Sequence, residues 1–170
     1  LDAELTYKMG MDKILSALNA QFPLGIRAID AIYLLFKTES LSAAISGFSY
    51  IVTMPPDTAC NISKEIIDEF LQKKSIIIKR KTGSGEKAID IRPYIKELAI
   101  ASNKPEVGLH MLIQNMDGRG CKPTEIIQAL LPLNEDEIKS VMIKRTGLYI
   151  FKNGEWQSPM DEDVKAVTYA

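Results

Sequence analysis

The order in which apolar spacing changes between residues 48 and 145 constrains the fold most. Residues 48–54 are a β-branched and aromatic run, stopped by Pro55-Pro56, neither of which can donate a hydrogen bond to a sheet. Ile62, Ile66, Ile67, Phe70 and Leu71 then recur at helical spacing, which predicts a helix over 62–73 with Asn61 as its N-cap. Two β-rich runs, 76–81 and 87–91, flank Gly83 and Gly85 and predict a hairpin with a flexible tip. Arg92-Pro93 closes it. Residues 95–101 and 107–115 predict another strand pair, with Val107, Leu109, Met111 and Ile113 on one face and Gly108, His110, Leu112 and Gln114 on the other. Pro123 opens a helix at the position where a missing N–H costs nothing, and Ile126, Ile127, Leu130 and Leu131 give it an apolar stripe. Pro132, a short acidic turn and a strand over 140–145 follow. Without the inserted hairpin the order is β-α-β-β-α-β, the ferredoxin-like pattern of the α+β class.

Flanking segments extend this body. Leu1, Ala3 and Leu5 alternate with Asp2, Glu4 and Thr6, which predicts a strand over 1–8 and suggests a piece of a longer protein. A helix capped by Asp12 carries Ile14, Leu15, Leu18 and Phe22, and Pro23 and Gly25 end it before a strand over 26–36. This βαβ half-unit, 1–37, has one helix for two strands and is expected to need an upstream half to enclose a core. Residues 37–47 read as a linker with a short helix at 41–45. Beyond the body, 149–152 and 155–157 flank Asn153-Gly154, a strong hairpin signal. The ferredoxin-like domain therefore spans 47–157, and 158–170 form a polar tail.

Composition narrows the function classes. With 46% hydrophobic and 25% charged residues and a net charge of −1, the chain is neither disordered nor globally basic. No apolar run approaches the roughly 18 residues that span a bilayer. Cys60 and Cys121 stand far apart and His110 is the sole histidine, so the clustered ligands of a zinc or iron–sulfur site are missing. No signal peptide is recognisable and a reducing cytoplasm is the expected location. His110 lies mid-strand without a nucleophile elbow and reads as structural. Gly83 and Gly85 lack the lysine and following helix of a phosphate-binding loop.

Three groups of cations stand out. Between residues 72 and 92 lie Lys73, Lys74, Lys79, Arg80, Lys81, Lys87 and Arg92 against only Glu86 and Asp90, so the rest of the chain is net acidic. Such a hairpin could neutralise phosphates or dock a partner, or its lysines could simply keep an edge strand unpaired. It contains no aromatic residue for base stacking. Arg119 and Lys122, beside Gly118 and Gly120 at a helix start, suit an anion, although a tight glycine turn is the simpler and favoured reading. Lys144 and Arg145 end the last main strand. The candidate anion- or partner-binding residues are thus Lys79, Arg80, Lys81, Lys87, Arg92, Arg119, Lys122, Lys144 and Arg145. An enzymatic reading would need Asp90, Arg92 and Arg145 to converge in a cleft.

The runs 88–95 (AIDIRPYI), 120–130 (GCKPTEIIQAL) and 143–149 (IKRTGLY), with the opening LDAEL, Leu15, Asn19 and 22–26 (FPLGI), resemble the radical SAM-linked protein family. The resemblance runs from residue 1 to about 160. That family is an uncharacterised domain fused behind, or encoded beside, a radical S-adenosylmethionine protein named as an Fe–S oxidoreductase. Its opening Ser-His-Leu-Asp and Gly-Phe-Asn-Pro-His-Pro runs are not in this chain, nor are the clustered cysteines of a radical SAM domain. The resemblance implies a bacterial, cytoplasmic accessory role. The Fe–S cluster and S-adenosylmethionine would belong only to the associated radical SAM domain. It also hints at RNA biology, which suits a basic hairpin. The expected function is a non-catalytic accessory domain presenting that hairpin to an anionic partner, with RNA first and docking to the radical SAM protein itself as an alternative. A further alternative is a substrate-binding part of an enzyme whose catalytic residues lie elsewhere.

Overall fold

A computed structural model describes residues 5–31, 40–55, 62–83, 85–102, 107–116 and 118–159. They divide into the body Ile45–Pro159 and a separate unit that holds the residues before Ile45.

In the N-terminal unit, α1 (Met11–Gln21) forms where the helical stripe predicts it, with Gly10 at the N-cap and Asp12 inside the first turn. The strands expected on either side of it are a correction. Residues 5–10 and 26–31 are irregular, and 1–4 and 32–39 lie outside the described residues. A strand requires a neighbour for its backbone groups, and among the described residues neither segment finds one. The Asn19 amide takes that place for one residue: its Oδ1 accepts from the Ala28 N–H at 2.7 Å and its Nδ2 donates to the Ala28 carbonyl at 3.0 Å. No residue of α1 is buried. A short helix, α2 (Leu41–Ala44), ends this unit.

The body mixes helix and strand around an antiparallel sheet. Its strands are β1 (Gly47–Met54), β4 (Ile95–Ser102), β5 (Val107–Gln114), β6 (Met142–Lys152) and β7 (Glu155–Gln157), in the order β4-β5-β1-β6-β7. Between β1 and β4 lie α3 (Lys64–Gln72) and a separate two-stranded hairpin of β2 (Ile77–Thr82) and β3 (Gly85–Asp90), which leads into a 3₁₀ turn, Arg92–Tyr94. Between β5 and β6 lie α4 (Pro123–Leu130) and α5 (Glu135–Ser140).

One face of the sheet carries the core. Val52 lies opposite Leu109 and Tyr50 opposite Met111, so the even residues of β1 and the odd residues of β5 point the same way. Ile67 and Phe70 of α3, and Ile126 and Ile127 of α4, join these residues in one buried cluster. Both helices therefore cover the same side. Ile76 and Ile91 enter the cluster from the base of the hairpin and tie it to the body.

Details at the element ends differ from the sequence expectation for local reasons. Asn61 lies outside the described residues, and Ser63 caps α3 by accepting from the Ile66 N–H. The acidic turn after Pro132 is helical, because Asn134 and Glu137 form a reciprocal capping box at the start of α5. The strand expected over 140–145 begins instead at Met142 and runs on to Lys152, with a bulge at Ser49/Tyr50 that places Arg145 opposite Tyr50 and Gly147 opposite Ser49. The Asn153-Gly154 turn forms as expected, with φ of 54° and 88°, and Phe151 meets Trp156 across it at 4.8 Å.

Ile126 is fully buried between sheet and helix. Ile126→Ala should lower the unfolding free energy by about 3 kcal/mol, the usual cost of an emptied core site. The denaturant midpoint should fall at unchanged slope; an unmoved midpoint would show that α4 contributes nothing to the core.

Candidate functional site

Arg80 is the residue around which the hairpin is organised. Its Nε donates to Glu125 Oε1 at 2.7 Å and its Nη2 to Oε2 at 2.7 Å, a fork-on-fork pair, while Nη2 also reaches the Gly120 carbonyl at 3.0 Å. Glu125 sits in the first turn of α4, and its Oε2 also accepts from the Lys122 N–H at 2.8 Å. One carboxylate thus serves an orphan amide of the helix start and the guanidinium of the hairpin. Burial would raise the Glu125 carboxyl, but the hydrogen bonds from Arg80 and the Lys122 backbone, with the charge of both side chains, hold it below its ordinary value. The bond to Glu125 correspondingly raises Arg80.

The base of the hairpin is also spoken for. Asp90 accepts from the backbone N–H groups of Ile76 and Arg92 at 2.8 and 3.0 Å, and these bonds lower its carboxyl. Arg92 donates through Nε to the Leu71 carbonyl at 2.9 Å and through Nη1 to the Ile95 carbonyl at 3.0 Å. Of the nine candidate cations, Arg80 and Arg92 are therefore spent on the chain's own acceptors.

The hairpin lysines are differently placed. Lys79 lies opposite Ala88 and Lys81 opposite Glu86 on one face, while Lys87 lies opposite Arg80 on the other. All three are exposed and form no ion pair among the described residues. Beside β2 runs an open groove of about 480 Å³. Phe70 and Lys73 at the end of α3, the first residues of β2, and Glu125, Gln128 and Ala129 of α4 line it.

The remaining candidates are distributed around the body. Arg119 and Lys122 are exposed in the loop that Arg80 holds through Gly120. Gly118 takes φ of 72° there, and Gly120 lies too close to the Asn115 side chain for a Cβ. The helix start that suited an external anion is served by Glu125. Lys144 and Arg145 point to opposite faces of β6, opposite Ile51 and Tyr50 respectively. The trio Asp90, Arg92 and Arg145 does not converge. Arg92 is bound to the start of β4, three strands from β6, about 14 Å at ordinary strand spacing. His110 faces away from the core, with Nδ1 3.8 Å from Glu97. Burial pushes the Cys121 thiol up to about 12, leaving it a neutral thiol.

Residues 1–123 match the model of a family described as an uncharacterised protein conserved in bacteria (DUF2344). The chain belongs to that family. No curated protein and no solved structure matches it. The matched span includes the hairpin and the Gly118–Gly120 loop but ends at the first residue of α4, so Glu125 lies just beyond it. Sequence reasoning passed over Glu125, although its place three residues after Lys122 at a helix start is a recognisable capping position.

Arg80→Met should cost about 1.5–3 kcal/mol, the range for hydrogen bonds to charged groups, and should couple strongly to Glu125→Gln in a double-mutant cycle. Because folding lowers the Glu125 pKa, its contribution is complete above the ordinary carboxylate value of 4.5 and drains away as pH falls through the folded value. The stability gap between the parent chain and Glu125→Gln should therefore shrink between neutral pH and about pH 3; a gap independent of pH would contradict this role.

Proposed function

We propose that this chain is a non-catalytic docking domain of a radical SAM-associated protein, which holds an anionic partner against the lysines of the β2–β3 hairpin. The observation that carries the reading is the division of charge on that arm: its arginines are bound inward, while Lys79, Lys81 and Lys87 stand exposed without ion pairs among the described residues. An arm braced at Arg80 and at its base offers these charges from a fixed position, so little ordering entropy is lost on binding. In the same reading the body is ferredoxin-like. The order β4-β5-β1-β6 supports this, with a helix following β1 and another following β5. The hairpin is then an insertion and β7 an addition.

RNA and the radical SAM protein are the two partner classes. The groove beside the lysines, with Phe70, Ile77 and Ala129 among polar lining residues, and the lack of an aromatic residue on the hairpin favour the protein. Any iron–sulfur cluster and S-adenosylmethionine would reside in that associated protein, and a cytoplasmic location goes with the reading. Among the described residues no group of three His, Cys, Asp or Glu could hold a metal, and no helix is long and apolar enough to cross a membrane.

Two measurements test this. The chain should be retained on immobilised heparin, a polyanion, and the triple variant Lys79→Glu, Lys81→Glu, Lys87→Glu should elute at clearly lower salt. Co-purification with the radical SAM protein should survive ribonuclease and fail in the triple variant. Unchanged heparin elution would remove the charge reading, and loss of co-purification on ribonuclease treatment would return the partner to RNA.

A further inference from the structure

Among the described residues the β2 strand has a free edge, and the groove runs along it. The hairpin is a two-stranded sheet in which β2 pairs, among the described residues, with β3 alone. Its ladder closes around a two-residue tip, with Thr82 opposite Gly85, and at the base the Ile91 N–H donates to the Ile76 carbonyl at 2.8 Å. In an antiparallel pair the hydrogen-bonded positions alternate. Ile76, Ile78, Arg80 and Thr82 therefore turn their backbone groups toward β3, and Ile77, Lys79 and Lys81 turn theirs outward. The groove is lined on the β2 side by residues that include Ile77 and Lys79.

We propose that this edge accepts an acidic segment of a partner protein in extended conformation, added antiparallel to β2 as a third strand. The inference rests on the docking reading above and specifies its mode. Main-chain bonds to Ile77, Lys79 and Lys81 supply the pairing, and alternate side chains of the incoming strand meet two different surfaces. Those opposite Lys79 and Lys81 share the exposed face and face two ammonium groups, one separated from the other by a single residue. Carboxylates fit there. The residue opposite Ile77 meets an apolar side chain that is 61% exposed. Residues opposite Ile78 and Arg80 turn to the other face, toward Phe70 and Ala129 on the groove wall, and apolar side chains fit there.

Charge decides which strand can enter. Glu125, the acidic residue lining the groove, is engaged by Arg80, and Lys73, whose Nζ lies 5.5 Å from the centre of the Phe70 ring, adds another cation at the rim. Lysines on an edge strand repel a second copy of the same edge and reject neutral strands. They leave the edge open to a segment that brings carboxylates at alternate positions. An edge kept free of self-association can in this way remain selective for one charge pattern.

The experiment is an NMR titration of the full chain with an end-blocked six-residue peptide, threonine-glutamate-valine-glutamate-valine-valine. Two further versions carry N-methyl groups, one on both glutamates and one on the valines at positions three and five. The parent peptide should shift the amides of Ile77, Lys79 and Lys81 and slow their hydrogen exchange. In the antiparallel register the glutamate N–H groups point at β2 and the two valine N–H groups point away. Methylation at glutamate should weaken binding by about tenfold or more, and methylation at those valines should leave it nearly unchanged. Equal binding by all three peptides would overturn strand addition while leaving the charge reading standing. No shift at the three β2 amides, or tighter binding there by a six-nucleotide uridine RNA, would also overturn it. If Lys79→Glu with Lys81→Glu changed the binding of neither peptide nor RNA, the charge reading would fall together with it.

Discussion

The Arg80–Glu125 pair is the contact on which the arrangement of the candidate site depends. A two-stranded hairpin has little stability of its own in water, and here it is held from two directions. Ile76 and Ile91 anchor its base in the apolar core. Farther out, a guanidinium forks onto a carboxylate that also serves the first turn of α4. The geometry suits arginine specifically, because its planar fork matches both carboxylate oxygens and leaves a donor for the Gly120 carbonyl. A lysine ammonium has three donors but no planar fork to meet both carboxylate oxygens in parallel.

That contact also divides the charge of the arm. Arginine and lysine carry the same formal charge, yet in the segment from Lys73 to Arg92 they have opposite fates. Both arginines, Arg80 and Arg92, reach backbone or carboxylate acceptors within the body, and the lysines of β2 and β3 remain in solvent. The weaker hydration and multiple fixed donors of guanidinium make it the cheaper cation to bury, whereas ammonium keeps its water. The cationic surface that stays exposed is therefore smaller than the run of cations suggests, but among the described residues it lies beside an unpaired strand edge and a groove of mixed polar and apolar lining. Charge, backbone donors and apolar surface together specify a partner more narrowly than charge can.

Local rules recovered most of the body. Pro55 after β1, Pro123 at the start of α4, and Asn153-Gly154 between β6 and β7 each impose a backbone geometry through sterics or a missing donor, and each boundary stands where those rules put it. Alternation in β5 assigned Leu109, Met111 and Ile113 to the core face correctly, because a strand's side chains reverse sides at every step whatever the partner. The same alternation misled at residues 5–8, and the strand expected over 26–36 is irregular where it is described, at 26–31. A strand exists through its neighbour, and alternation carries no record of whether a neighbour is there. The acidic run after Pro132 misled in the other direction, since a capping box is enough to start a short helix there.

The candidate site divides along similar lines. That the segment from 73 to 92 is a cation-rich hairpin follows from residue order alone, because turn glycines and β-branched runs act over a few positions. Which of its cations are engaged was decided by packing: Glu125 of α4, 45 residues along the chain, came within 2.7 Å of Arg80, and Arg92 reached the Leu71 and Ile95 carbonyls. The unpaired edge of β2 and the groove beside it have the same origin. They depend on where two helices come to rest against a sheet, and packing across such distances leaves no periodic mark on the residues it brings together.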